Sequence, residues 1–173
     1  LLAAAIESTN KQNPGKVVVF KTSDYSVIKV IPVGALPDMI TFSPDGKYIV
    51  TSSLDSTAKI WLASNGNRIH EMRTHKDAIN AAMFSPDGKY IVTISKDNTG
   101  KIWNASSGSF IADLKGHTNV VSAVSFSSDS KQIVTGSWDN TAMLWNAADG
   151  KLIDILRGHT SVVSSAIFSP DGK

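Results

Sequence analysis

"FSPDGKYIV" spans Phe42–Val50, returns unchanged at Phe84–Val92, becomes "FSSDSKQIV" at Phe126–Val134, and begins again as "FSPDGK" at Phe168–Lys173. Each step is forty-two residues. Inside the stretch an Asp-Gly pair separates two hydrophobic runs, a strong hairpin signal because Gly accepts the positive φ that the turn demands. Other residues keep the same interval: Trp61, Trp103 and Trp145; His75, His117 and His159; Asp55, Asp97 and Asp139. Three residue types in register over three copies mark a repeat architecture, which has to be read before any local element.

Residues 115–156 show what one unit contains. "VVSAVSF" alternates, "SSDSK" turns, "QIVTGS" runs, "WDNT" turns, "AMLWN" runs, "AADGK" turns and "LIDIL" closes. That is four short strands per unit. β-Branched and aromatic residues fill the runs while Gly, Asn, Asp and Ser fill the gaps, which argues against helix. A four-stranded meander of about 40–45 residues is one blade of a β-propeller. The expected fold is therefore all-β, a propeller of four-stranded antiparallel blades with four repeats per chain.

Composition fits a globular protein of 173 residues, with 42% hydrophobic and 18% charged residues. Its net charge of +2 is spread along the chain and makes no electrostatic case for nucleic acid or an anionic membrane. With no cysteine, disulfide scaffolds, zinc-thiolate sites and cysteine nucleophiles are excluded. "LLAAAI" is far short of the roughly 20 residues of a membrane helix and lacks the flanks of a signal peptide. A soluble protein is expected, its compartment open, with the cytoplasm favoured.

"GHTNVVSAVSFSSDSKQIVTGSWDNTAMLWNAADGKLIDIL", Gly116–Leu156, resembles a WD-repeat (Trp-Asp repeat) blade along its whole length. The Gly-His opening, the Asp of the second turn and the Trp of the third strand all match. The Trp-Asp dipeptide itself is degraded, since Leu62 follows Trp61, Asn104 follows Trp103 and Asn146 follows Trp145. This resemblance covers roughly residues 48–173. Residues 17–53, with "IPVG" and a following Pro in place of the Gly-His opening, are similar to the YVTN-type β-propeller repeat. A first quarter of one propeller type and a remainder of another suggest a natural hybrid or a chimera engineered from parts.

Setting Leu1 under Tyr48 places "LLAAAI" on a second strand, "KVVVF" on a third and "SVIKVI" on a fourth, with "ESTNKQNPG" as a lengthened turn. The sequence then divides into repeats 1–47, 48–89, 90–131 and 132–173, all one propeller unit. In space the expected blades are 1–31 with 157–173, 32–72, 73–114 and 115–156, the first a composite of the two termini. "VVSSAIF" at 162–168 would supply its missing first strand. An open strand edge exposes unpaired backbone groups, so closure by this strand is expected. Four blades strain a ring. Two chains exchanging strands into a homodimeric ring of eight blades is the favoured arrangement; a self-closed four-bladed ring and a piece of a longer seven- or eight-bladed protein are the alternatives.

His117, Ser137 and Asp139 have the composition of a hydrolase triad. The set recurs as His75, Ser95 and Asp97, however, and an enzyme seldom carries its active site twice. What the WD-repeat resemblance implies instead is a hydrogen-bonded chain inside each blade: His75, Ser95, Asp97 and Trp103; His117, Ser137, Asp139 and Trp145. An Asp can accept from the imidazole while a Ser hydroxyl links imidazole to indole, and a satisfied network of this kind stiffens a blade. Ser53, Asp55 and Trp61 form a partial set, with Val33 where His belongs. In the composite blade Ile6, Ser8 and Val19 replace Ser, Asp and Trp.

"SPDGK" lacks phosphate-loop spacing, and "SWDNT" and "KDNTG" lack the acidic loop of a calcium site. No metal, cofactor or catalytic residue is expected. His70 falls outside the repeat register and reads as a surface or edge residue. The function expected is a non-catalytic scaffold that binds a protein or peptide. By resemblance its contact positions are Asp77, Ile79, Lys96, Asn119, Val121, Trp138, Ser161 and Val163. Trp138 has Leu54 and Lys96 as counterparts and is either a binding anchor or packed over the adjoining blade. A repeat module whose only activity is self-assembly is the second reading. A ligand-binding or enzymatic propeller using Glu7, Asp24, Asp38 or His159 is the third.

Overall fold

The computed structural model describes residues 2–6, 15–34 and 37–170. Among them the chain is all-β, with fifteen strands in four antiparallel sheets. The first sheet has three strands, β1 (Leu2–Ile6), β2 (Gly15–Phe20) and β3 (Val27–Gly34), in that order. The second runs β4 (Pro37–Phe42), β5 (Tyr48–Ser53), β6 (Ala58–Leu62) and β7 (Arg68–Met72). The third runs β8 (Ile79–Phe84), β9 (Tyr90–Ser95), β10 (Gly100–Asn104) and β11 (Phe110–Leu114). The fourth runs β12 (Val121–Phe126), β13 (Gln132–Ser137), β14 (Ala142–Asn146) and β15 (Leu152–Leu156). Each is a meander of sequence neighbours, the sheet of a propeller blade, and among the described residues the four do not close into a ring. No helix among the described residues is long and apolar enough to cross a membrane.

The inner strands explain why the sheets stack. β5, β9 and β13 are buried along almost their whole length, on both faces, because the second and third sheets lie between neighbours and the fourth lies between the third and the segment that contains Val163. Near-continuous runs such as "YIVTIS" suit that position, where alternation would strand a polar face. The outer strands are less covered: β15 is mostly exposed and β7 partly so. Core clusters lie between sheets: Val17, Val19, Ile31 and Val33 of the first pack with Ile49 and Trp61 of the second. Val50, Ile60 and Met72 of the second pack with Ile79, Ile91 and Trp103 of the third. Met39, Ala81, Ala123 and Ser165, spaced by one repeat, border one hollow, so the innermost segments of successive blades face a common axis.

Two boundaries differ from expectation. β3 continues through Gly34, beyond the blade limit at 31, since Lys16 pairs with Pro32 and Gly15 with Gly34. At the other end, 162–168 is not a strand. Residues 157–170 form none, because a strand needs a partner beside it and no described strand stands there. The segment is nonetheless seated where the first strand of a following blade belongs. Ser122 Oγ donates to the Val163 carbonyl at 2.8 Å, as Asn80 Nδ2 one repeat earlier donates to Val121 at 2.9 Å. The Val163 N–H donates to Ser137 O at 3.0 Å, and Val163, Ala166 and Phe168 pack on Val134, Ala142 and Leu144. Gly136 permits this approach: a Cβ there would stand 3.0 Å from the Val163 carbonyl oxygen.

Candidate functional site

A buried hydrogen-bond chain crosses the third and fourth blades. In the third, Trp103 Nε1 donates to Thr93 Oγ1 at 2.9 Å, and the same hydroxyl meets His75 Nε2 at 2.8 Å. His75 Nδ1 lies 2.9 Å from Asp97 Oδ2. A carboxylate can only accept, so Nδ1 carries the proton, Nε2 accepts from Thr93, and Thr93 accepts from the indole. Every group is then matched. The fourth blade repeats the chain through Trp145, Thr135, His117 and Asp139 at 2.8 Å for each contact.

The linking hydroxyl belongs to threonine and not to Ser95 or Ser137, which corrects the expected chain. Trp103 pairs across the sheet with Ile91, so Thr93 is its diagonal neighbour, while Ser95 lies two residues farther along β9 and out of the indole's reach. Ser95 Oγ instead donates to the Asp77 carbonyl and accepts from the Asp97 N–H, both at 3.0 Å. Ser137 does the same with Asn119 and Asp139. A hydrolase triad is thereby not formed, because His117 spends both ring nitrogens on Thr135 and Asp139 while Ser137 donates to a carbonyl. A signal for the linker was present in the sequence: Thr51, Thr93 and Thr135 keep the forty-two-residue interval.

Where the histidine is missing the chain shortens. Trp61 Nε1 still donates to Thr51 Oγ1 at 3.0 Å, and Asp55 takes the Thr57 N–H and hydroxyl together with Lys59 Nζ at 3.5 Å. Val33, at the histidine position, is buried in the apolar cluster beside Trp61. In the first sheet Val19 is buried at the tryptophan position; Ser8 lies outside the described residues, as does Glu7. Asp24 accepts from Ser26 in an exposed turn, and His159 is exposed near Leu156. His70, outside the register, donates from Nε2 to the Ser106 carbonyl at 3.0 Å and so ties the second blade to a turn of the third.

The chains lie under one turn-bearing face. Asp77, Lys96, Asn119, Trp138 and Ser161 are exposed on it, Trp138 to 50%. Ile79, Val121 and Val163, expected there too, are buried, because their side chains fill the space between neighbouring blades and leave the surface to the loop residues before them. The exposed positions rest on fixed backbone: Lys96 N donates to Ala78 O and Trp138 N to Val120 O, each at 2.9 Å.

Electrostatics match the donor order. Burial holds the His75 imidazole below its ordinary value of 6.5, against the opposing pull of Asp97. Burial pushes Asp97 and Asp139 up, but the hydroxyls of Thr99 and Thr141, the N–H groups of Lys76 and Thr118 and the two imidazoles outweigh it and lower both carboxyls to about 2.

Two family models match this sequence. The one described as WD domain, G-beta repeat covers residues 66–104, 108–146 and 150–173, more than half of the chain, and the one described as Choice-of-anchor I domain covers residues 1–53. The second lies on the segment compared above with the YVTN-type repeat. No curated protein matches the chain.

The three shifted groups all bind fewer protons when folded, so stability rises with pH through their windows. Unfolding by urea should show stability falling first below pH 6.5, as His75 is protonated in the unfolded state, and again between about 4 and 2 for Asp97 and Asp139. Thr135→Val should orphan one ring nitrogen and one indole N–H, costing roughly 1–3 kcal/mol for each group in the same assay, and Thr135→Ser should restore most of the loss.

Proposed function

The chain belongs to the WD domain, G-beta repeat family, and from that membership we propose that it is a non-catalytic scaffold holding a rigid face for a protein or peptide partner. Family members of this kind are typically interaction modules without chemistry of their own. The observation that carries the reading here is Trp138. It replaces Lys96 and Leu54 of the other blades, leaves half its surface in water, and stands on a turn whose backbone is bonded to the loop before β12. A large amphipathic ring on a fixed base loses little conformational freedom on binding, which is what an anchor residue requires. Asp77, Lys96, Asn119 and Ser161, exposed on the same face, add charges, an amide and a hydroxyl that set which partner fits.

The same proposal takes the assembled form as two chains in one eight-bladed ring, with 162–168 of each copy pairing with β1 of the other. Its support is in the two end sheets. Met72 and Leu114 are 1% and 0% exposed between adjacent blades, whereas Leu156, their counterpart, is 52% exposed. At the opposite end Val27 and Val30 of β3 are exposed, and β1 has a strand partner on one side only among the described residues. Two faces of this kind, one with a seated first segment and one lacking it, complement each other under two-fold symmetry. The two family matches, meeting between residues 53 and 66, also favour a chain of hybrid origin.

Sedimentation equilibrium should return the mass of two chains, reduced toward one by Leu156→Lys; a compact monomer at all concentrations rejects the ring. Selection of displayed peptides against the wild-type chain should yield binders that lose at least ten-fold in affinity on Trp138→Ala and less on Lys96→Ala, with unchanged circular dichroism. Binders indifferent to both substitutions place recognition elsewhere.

A further inference from the structure

Between the second and third blades, at the end opposite Trp138, lies a recess of about 270 Å³. Tyr48, Ile60, Ile69 and Phe84 give it an apolar wall, and the charged residues that line it are Asp45 and Asp87. The matching hollow one interface on is different in kind. There Lys89 and Lys131 stand among the lining residues with Asp87 and Asp129, and none of the large aliphatic groups is reached.

The two interfaces also differ in one hydrogen bond. Ser130 follows Gly88 by one repeat, and the Asp87 N–H donates to Ser130 Oγ at 3.0 Å across the third and fourth blades. Gly88 has no side chain to make that link across the second and third blades. Both residues hold the same left-handed backbone, φ 72° and 63°, and a Cβ at Gly88 would meet nothing nearer than Pro44 Cδ at 3.7 Å.

The two carboxylates are set alike. Asp45 Oδ1 takes the Ser43 hydroxyl at 2.7 Å and the Lys47 N–H at 3.1 Å; Asp87 Oδ1 takes those of Ser85 and Lys89 at 2.6 and 3.1 Å. Each Oδ2 meets a lysine, at 3.2 and 3.3 Å, whose side chain is otherwise mostly in solvent. Such exposed pairs hold weakly and give way to a better-placed cation. Ser43 and the Lys47 N–H lower the Asp45 carboxyl to about 2, so it is ionised at neutral pH.

We propose that this recess receives an arginine side chain of a partner peptide, its methylenes against Ile60, Ile69 and Phe84 and its guanidinium between Asp45 and Asp87 beside the Tyr48 ring. Arginine combines an apolar stem with a weakly hydrated planar cation that bonds carboxylates and stacks on aromatic faces. A purely aliphatic side chain would cover the carboxylates without compensating them. Lysine would offer a point charge with a more tightly held water shell.

The test is a titration of the full chain with the peptide acetyl-Gly-Arg-Gly-amide and with its citrulline analogue, which keeps the shape and removes the charge, followed by amide NMR shifts. Saturable shifts at residues 43–48 and 84–88 are expected with arginine, and affinity at least ten-fold weaker with citrulline. Gly88→Ser, which places at this interface the side chain that Ser130 carries at the next, should reduce arginine binding at least ten-fold with an unchanged melting temperature. Asp45→Asn, at an exposed turn, should reduce it at least three-fold and serves as the second variant if Gly88→Ser lowers the melting temperature. Absence of saturation, equal binding of citrulline, or full affinity in Asp45→Asn overturns the proposal.

Discussion

A blade in this fold buries both of its faces, so each sheet depends on the next. β5, β9 and β13 illustrate the constraint: their side chains are covered above and below, and the cover is supplied by residues one repeat away in sequence. Burial of apolar area is the main source of stability, and here most of it lies between blades. A solenoid or propeller repeat therefore has little independent stability. The end sheets show the consequence. Leu156 and Val30 stand in water although their counterparts or cross-strand neighbours are covered, and the segment at 162–170 has the position of a strand without the partner that would make it one.

Polar order sits on top of this apolar stacking. The Trp103–Thr93–His75–Asp97 chain ties β9, β10, the turn between them and the loop before β8 to one another, and its copy in the fourth blade ties the equivalent elements. Each group is both buried and matched, the condition under which a polar network stiffens a core instead of weakening it. Because the Asp ends of these chains also take the N–H groups of Lys76 and Thr118, rigidity is passed to the face where Asp77, Asn119 and Trp138 are exposed.

The second blade is where the two sequence types meet. β4 and β5 lie in the segment matched by one family model, β7 in that matched by the other. Its backbone register is as regular as that of its neighbours, yet Val33 replaces the histidine and Lys59 takes a side of Asp55 that His75 and His117 take elsewhere. The Gly88 recess opens on the same blade. Backbone pairing tolerates the junction because hydrogen bonds between strands are indifferent to side chains, whereas the side-chain chain and the fit between blades are not.

From sequence alone the forty-two-residue interval, the four strands in each unit, the all-β class and the family could be read, because period and alternation are properties of one strand and its turn residues. Most residues of the buried chains were legible for the same reason. The threonine at their centre was missed: choosing Thr93 over Ser95 needs the cross-strand register, which sets Trp103 opposite Ile91. Tertiary structure also decided that Ile79, Val121 and Val163 face inward while Trp138 faces out, and that Ser130 bonds to the neighbouring blade where Gly88 has no side chain to do so. Each of these depends on contacts between residues brought together from different strands or blades, and a repeat read along the chain carries no distance across it.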